Sequence, residues 1–226
     1  MNMKKTAALL TLIAGLGMGF QGTAQAEGFD IGADVVSRYV WRGAEFGDGI
    51  AAQPWLSYTF DGIGIETGAW GSFDIDGDDA NEVDLYVTVP VGPVSLTVTD
   101  YYFPDYAGGD DDVFDYGDDA EEHVLEASVG YEYENLSLMA AINVSGDDEN
   151  SKYVEAGYGF YDKDDYTATA FIGAGDEVYT ADGNAEGNFN LVNVGLTVTK
   201  DIFSASYIIN PDQETSYLVL GVTLQP

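Results

Sequence analysis

The 226-residue sequence contains no cysteine and only one histidine, His123. Without cysteine the chain cannot form a disulfide framework, a thiolate nucleophile or a thiolate metal site. A single histidine also excludes a histidine-rich metal centre. Beyond the N-terminal region, no segment approaches the ~18 consecutive apolar residues of a membrane helix, so none is predicted there.

Basic residues are scarce as well. Lys and Arg total 7 against 40 Asp and Glu, which gives a formal net charge of -33 at pH 7. Binding to nucleic acid or to an anionic surface requires a basic patch that displaces counterions, so nucleic acid is excluded as a partner. Hydrophobic residues make up 46% of the chain and aromatic residues 13%, more than an acidic disordered chain contains. The sequence therefore predicts a folded protein.

The N-terminus predicts export. Two lysines are followed by an apolar run over residues 7–20 and by the small-residue pattern Ala24-Gln25-Ala26. A membrane anchor is the alternative, but the run is shorter than the ~20 residues that a spanning helix needs. We predict a signal peptide at 1–26. Its removal leaves 27–226, and the loss of the two lysines changes the formal charge from -33 to -35.

Hydrophobicity in the mature chain alternates with a period of two, which is typical of β-strands with one apolar face. The first predicted strand runs from Phe29 to Trp41, and eleven further strands begin near Leu56, Ile63, Val83, Val94, Leu125, Leu136, Val154, Tyr166, Val192, Phe203 and Leu218. The connections alternate between longer acidic loops and short turns. This pattern predicts one all-β domain, an antiparallel up-and-down barrel of about twelve strands with both termini at the rim of short turns.

Charges separate between the two faces of the predicted strands. The apolar face carries one charged residue, Asp100, whereas the opposite face carries Asp30, Asp34, Arg38, Arg42, Glu66, Asp84, Glu126, Glu132 and Glu155. A charge facing lipid costs about 2–4 kcal/mol for Arg or Lys at the midplane, so membrane barrels exclude charges from that face. Asp100 either is turned inward by a bulge or lies near the outer interface. We predict a barrel in the outer membrane of a Gram-negative cell, surrounded by outer-membrane lipids.

Seven of the inward residues form the candidate lumen or constriction site: Asp34, Arg38, Arg42, Glu66, Asp84, Glu126 and Glu155. In one interpretation, Arg38 and Arg42 face carboxylates across the lumen and set up a transverse field. In the other, they neutralise Asp34 and Glu66 so that a narrow polar interior is satisfied. The inward charges sum to -5, so an open lumen is expected to favour small cations.

No catalytic residue, cofactor or metal site is predicted. The acidic stretch that begins at Asp74 resembles a calcium loop, but Asp79 stands at the glycine position and Leu85 at the twelfth position of the EF-hand pattern. We interpret the acidic loops as solvated. An enzymatic barrel with a Ser-His pair on its outer wall is the rival class. Leu125 stands where that pair needs serine after His123, so the sequence predicts a protein that is not an enzyme.

The opening hairpins resemble a known family. The residues are Val36-Ser37-Arg38-Tyr39-Val40-Trp41-Arg42-Gly43, then Gln53-Pro54, then Gly68-Ala69-Trp70-Gly71. This stretch, within 32–73, is similar to the bacterial TorF-like porin family of conserved outer-membrane proteins. The resemblance implies an outer-membrane barrel to which transport is assigned by analogy, with no established substrate and no catalytic residues.

The sequence thus favours a porin-like channel for passive diffusion of small solutes with a preference for cations. The alternative is a non-conducting structural or surface-interaction barrel whose interior is filled by the inward residues Trp55, Trp70, Tyr86 and Phe171. Twelve strands allow either function, because eight-stranded barrels are filled by side chains and sixteen-stranded ones carry water. Periplasmic chaperones and the barrel-assembly machinery are the partners expected during export, and the oligomeric state is left open.

Overall fold

The structure is a computed structural model that describes residues 28–75, 81–104, 122–181 and 188–226. The predicted signal peptide lies outside these residues, as do the acidic segments 76–80 and 110–119. The strands are β1 (Gly28–Val36), β2 (Tyr39–Trp41), β3 (Ala44–Gly47), β4 (Ala51–Thr59), β5 (Glu66–Asp74), β6 (Glu82–Val91), β7 (Val94–Tyr102), β8 (His123–Tyr133), β9 (Leu136–Ser145), β10 (Lys152–Lys163), β11 (Tyr166–Gly175), β12 (Asn190–Lys200), β13 (Phe203–Asn210) and β14 (Thr215–Leu224). A short 3-10 helix spans Glu177–Tyr179. No helix in the described ranges is long and apolar enough to cross a membrane.

Twelve strands close into one antiparallel barrel, and β2 and β3 form a separate two-stranded hairpin. The barrel closes because β1 pairs with β14 on one side and with β4 on the other; Val36, for example, lies opposite both Gly221 and Ala51. Closure leaves no unpaired sheet edge, as a strand structure in lipid requires. The predicted all-β fold and its twelve-stranded antiparallel barrel are confirmed.

Short turns lie at the rim where Gly28 and Leu224 begin and end the barrel, and longer connections lie at the opposite rim. The tight turns between β8 and β9 and between β12 and β13 contain Glu134 and Asp201 with φ values of 53° and 52°. Such left-handed residues match the twist of two-residue hairpin turns. The predicted alternation of connection lengths therefore corresponds to two distinct rims, here named the turn rim and the loop rim.

The strands place apolar side chains outside and polar ones inside. Large outward side chains that remain exposed on the barrel wall include Leu56, Leu85, Val87, Leu96, Val98, Leu138, Ile172, Leu196, Leu218 and Leu220. By contrast, inward residues such as Asp34, Asp84 and Glu126 are buried. An apolar belt of this extent is not stable in water, and it has the character of a lipid-facing surface.

The first predicted strand extends too far. Instead of running to Trp41, β1 ends at Val36, and the chain bends through Ser37 into β2. The Ser37 hydroxyl accepts a hydrogen bond from the backbone N–H of Leu220 at 3.0 Å, which satisfies the β14 donor where β1 ends. Arg42 and Gly43 then adopt φ values of 50° and 85° and reverse the chain between β2 and β3. Period-two hydrophobicity does not distinguish a barrel strand from a hairpin packed inside the barrel.

Asp100 remains on the outer wall. The pairing of β7 with β8 is continuous from Tyr102 opposite His123 to Val94 opposite Tyr131, so no bulge turns Asp100 inward. Its Oδ1 lies 2.9 Å from Nδ1 of His123, near the loop rim. Of the two interpretations, the position near the outer interface is the one that the structure supports. A partner on the neighbouring strand reduces the cost of a carboxylate on this face.

Candidate functional site: a hairpin inside the barrel

The hairpin β2–β3 occupies the lumen on the side of the loop rim. Tyr39 and Val40 of β2 are 3% and 1% exposed, less than most residues of the barrel itself. They belong to a buried apolar cluster with Val36, Ala51, Ile208 and Val219. Burial of a side chain such as Val40 stabilises the folded state by about 1.5–3 kcal/mol. The interior at this level is therefore packed as a core.

The hairpin tip contacts the barrel wall at β12 and β13. The Gly43 carbonyl accepts a hydrogen bond from Nδ2 of Asn210 on β13 at 3.1 Å. A Cβ atom added at Gly43 would lie 1.9 Å from the Val192 carbonyl oxygen on β12. Only glycine fits this contact, because φ is positive and the two backbones touch. The hairpin tip is thus held directly against the backbone of the wall.

Arg42, beside Gly43 at the tip, forms the main polar contact between hairpin and wall. Its Nη1 and Nη2 donate to Oε2 and Oε1 of Glu126 on β8 at 2.6 and 3.0 Å, a bidentate pair. Nη1 also donates to the Tyr179 hydroxyl at 2.6 Å. The guanidinium lies 4.3 Å from the Trp41 ring and 4.6 Å from the Tyr153 ring. Removing one partner of a buried ion pair like this typically costs about 3–5 kcal/mol.

A second set of hydrogen bonds orients the groups that bind Arg42. Tyr101 donates to Oε1 of Glu126 at 3.2 Å, and Tyr153 donates to Oε2 of Glu155 at 2.5 Å. The Asn193 amide donates to both the Tyr153 hydroxyl and Glu155 Oε2, at 3.0 and 2.9 Å. We name this set the Arg42 pocket; its residues are Tyr101, Glu126, Tyr153, Glu155, Tyr179 and Asn193. None of them belongs to the hairpin.

Protonation states of the inserted groups follow from burial and from neighbouring charge. Burial lowers the pKa of Arg42, but the charge and hydrogen bond of Glu126, together with the phenols of Tyr179 and Tyr101, outweigh it and hold the pKa well above its usual range. Burial raises the pKa of the Tyr179 phenol to about 12. Burial, with the charges of Glu82 and Asp84, raises the pKa of Tyr39 well above its usual value. Arg42 is therefore charged and both phenols are neutral at physiological pH.

Four of the seven candidate residues meet at this level: Arg42 at the hairpin tip, and Asp84, Glu126 and Glu155 on the surrounding wall. Sequence reasoning missed a fourth acidic residue at this level, Glu82, which is 2% exposed on β6. The predicted strand began one residue too late, although Glu82 shares the parity of Asp84. The described carboxylates at this level outnumber the single buried guanidinium, that of Arg42.

The remaining candidates lie apart from this cluster. Arg38 is not on the barrel wall, as the long first strand required; it lies in the bend before β2, with Nη1 2.5 Å from Oε1 of Glu45 on β3. This pair is about one third exposed and contributes little stability. Asp34 accepts a hydrogen bond from Thr223 at 2.6 Å, and Glu66 accepts one from Tyr86 at 2.8 Å.

Hydroxyl groups therefore supply the hydrogen bonds of the Asp34 and Glu66 carboxylates. The interpretation in which Arg38 and Arg42 neutralise these two carboxylates is wrong, because the arginines pair with Glu45 and Glu126 instead. On the twelve barrel strands, within the described ranges, no inward position holds Lys or Arg. The same part of the chain contains no cluster of three or more His, Cys, Asp or Glu residues that could hold a metal ion.

The inward aromatic residues narrow the lumen from its wall. Three of them lie directly opposite glycines on the next strand, in the pairs Trp55 with Gly32, Tyr86 with Gly68 and Phe171 with Gly195. A Cβ atom on each glycine would lie within 2.1–2.5 Å of the ring, so the rings lie flat over these glycines. Trp70 instead packs against Tyr39, with ring centroids 5.6 Å apart. The hairpin, more than these four rings, occupies the centre of the lumen.

Replacing Gly43 by alanine is expected to displace the hairpin. The new Cβ would meet the Val192 carbonyl, and the positive φ is itself strained for alanine, at about 1–3 kcal/mol. Thiol labelling of a Val40→Cys reporter should then accelerate roughly 5–150-fold. Gly92→Ala is the matched control, because Gly92 also has a positive φ but nothing lies within 4 Å of its Cβ position. Equal acceleration in both variants would contradict the contact of the hairpin tip.

Fold and site together define a closed twelve-stranded antiparallel barrel whose first long loop is folded into its lumen. No protein-family model and no curated protein matches the sequence. Among solved structures, the chain is similar to the one titled "Crystal Structure of Pseudomonas Aeruginosa OpdK with Vanillate". The TM-score is 0.39 at 12% identity, over 91% of this chain and 67% of that chain.

Proposed function

We propose that the protein is a porin-type barrel of the outer membrane that its first loop keeps closed at rest and that passes small cations when the hairpin leaves. The apolar exterior and the closed sheet support membrane insertion. The predicted signal peptide supports export. The resemblance of residues 32–73 to the TorF-like porins supports the same assignment, with outer-membrane lipids, periplasmic chaperones and the barrel-assembly machinery as partners.

The observation that carries the proposal is the burial of Arg42 and Glu126 across the lumen. In an open constriction, water hydrates charged groups on both sides of the path. Here Arg42 and Glu126 are 7% and 2% exposed and bind one another directly. The hairpin is therefore a closing element, and conduction requires that it move. This differs from a permanently open diffusion channel, the function that the sequence alone favours.

The cation preference follows from what remains once the hairpin has left. The inward carboxylates include Asp30, Asp34, Glu66, Glu82, Asp84, Glu126, Glu132 and Glu155, and within the described ranges the barrel strands offer no inward cation. A lumen of one charge sign between low-dielectric walls concentrates the opposite ion. Small cations are therefore the proposed solutes, and no cofactor is needed.

Ion selectivity tests this function. An Arg42→Ala barrel in a planar bilayer should give a reversal potential of cation-selective sign in a salt gradient. Glu66→Gln with Glu132→Gln in that background should reduce it, whereas Glu134→Gln, on an exposed turn, should not. The measurement belongs at low ionic strength, since screening shortens to about 3 Å at 1 M salt. An anion-selective potential would reject the proposal.

A second candidate is a barrel that never conducts. The apolar packing of Val40 against Ile208 and Val219 favours it, because this contact must be disrupted before a path exists. A folded Arg42→Ala barrel that shows no conductance events in the bilayer would establish this candidate in place of the first.

A further inference from the structure

We propose that the Arg42 pocket is a binding site for a small solute that carries a guanidinium group, and that Arg42 occupies this site as an intramolecular ligand in the closed barrel. The inference rests on the proposed function and names the substrate class of the same lumen. External solute and hairpin would then compete for one site, and the solute itself would favour the open barrel.

The shape of the pocket matches a guanidinium ion in particular. Glu126 accepts two parallel hydrogen bonds, a geometry that a planar N–H fork satisfies and a compact ammonium does not. Tyr179 supplies a third acceptor at 2.6 Å. The rings of Tyr153 and Tyr179 lie 4.6 and 5.4 Å from the guanidinium carbon, within the range of a cation–π contact.

The wall builds this pocket without the hairpin. Glu126 and its donor Tyr101 lie on β8 and β7, and the Tyr153–Glu155–Asn193 network joins β10 to β12. Trp41 is the one hairpin ring against the guanidinium among the described contacts. Because hydrogen bonds within the wall orient the binding groups, the site stays preorganised when the hairpin leaves, which favours binding of an external ligand.

Competition has a quantitative consequence. A ligand that binds only the open state multiplies the ratio of open to closed barrels by 1 + [L]/Kd, however rare the open state is. A probe that reacts only in the open state should therefore report the ligand directly. Val40 is 1% exposed in the closed barrel, and the chain contains no cysteine, so Val40→Cys provides a single buried thiol for this purpose.

The experiment measures thiol labelling of the full-length Val40→Cys barrel in lipid vesicles, with arginine amide or lysine amide as the ligand. The two amides carry equal charge and differ in the guanidinium group. The Kd for arginine amide is measured by calorimetry on the Arg42→Ala barrel. At ten times this Kd, arginine amide should raise the labelling rate about 11-fold. Lysine amide at the same concentration should raise it much less.

Two carboxylate variants provide the comparison. Glu126→Gln should abolish the response to arginine amide, whereas Glu132→Gln, an inward carboxylate outside the pocket, should preserve it. If Glu126→Gln already labels at the maximal rate, calorimetry on Arg42→Ala against Arg42→Ala/Glu126→Gln replaces it, with at least a tenfold loss of affinity expected. Equal responses to both amides, no response, or a response or affinity that survives Glu126→Gln would overturn the inference.

This test separates the inference from the proposed function. Cation-selective conductance without any effect of arginine amide would reject the guanidinium site and leave the channel. Labelling that depends on arginine amide in a barrel that never conducts would support the site and reject the channel.

Discussion

Replacing Glu126 by glutamine is expected to release the hairpin from the lumen. The substitution leaves the Arg42 guanidinium buried without its carboxylate, and breaking a buried pair in this way typically costs about 3–5 kcal/mol. Because the hairpin is small and its strands do not pair with those of the barrel, most of this cost should appear as opening of the lumen. Labelling of Val40→Cys should rise more than about 100-fold, since each 1.4 kcal/mol corresponds to tenfold.

The matched control is Glu132→Gln. It neutralises an inward carboxylate on the same strand, nearer to the turn rim than Glu126. It should leave labelling unchanged. Arg42→Met combined with Glu126→Gln should cost less than the sum of the two single changes, because neither variant residue is a buried unpaired charge. Additive costs, or an equal effect of the control, would show that the ion pair does not hold the hairpin.

Replacing Val87 by arginine should reduce the free energy of unfolding from lipid vesicles by about 2–4 kcal/mol if its depth is near the midplane. Val87 lies on the outward face of β6 and is 45% exposed, which places the new charge in the apolar belt. Urea titration of the folded barrel in vesicles measures the change.

Thr88→Arg, on the inward face one residue further along β6, is the control. It removes a hydroxyl pair with Thr97 at 2.9 Å, which contributes about 0.5–1.5 kcal/mol, and the new cation faces carboxylates such as Glu66. Its loss should therefore be clearly smaller than that of Val87→Arg. Similar losses at the two positions would mean that lipid does not surround the outer face.

The barrel could be predicted from sequence because two physical demands repeat along the whole chain. Lipid outside and a polar interior require apolar and polar side chains to alternate along every strand. On β6, for example, the outward residues are Leu85, Val87 and Val89, and the inward residues are Asp84, Tyr86 and Thr88. The two rims impose alternating connection lengths. Asp100 broke the pattern, and the structure shows that His123 on the adjacent strand compensates for it.

The hairpin could not be predicted, because a β-strand in a barrel and a β-hairpin in its lumen both need one apolar face. Tyr39 and Trp41 have the parity of lipid-facing residues, yet they pack inside. The signals that were present are local: Ser37 can end the pairing of β1, and Arg42-Gly43 can adopt the left-handed turn. The partner of Arg42, Glu126, is 84 residues away in sequence, and only the closed barrel brings the two together.

Single-channel recording tests the central claim, that the hairpin closes the barrel, most directly. Wild-type protein in a planar bilayer should show long closed periods with brief openings, and Arg42→Ala and Gly43→Ala should each lengthen the openings without changing the number of inserted barrels. A wild-type barrel that stays open at the same conductance as Arg42→Ala would contradict the account.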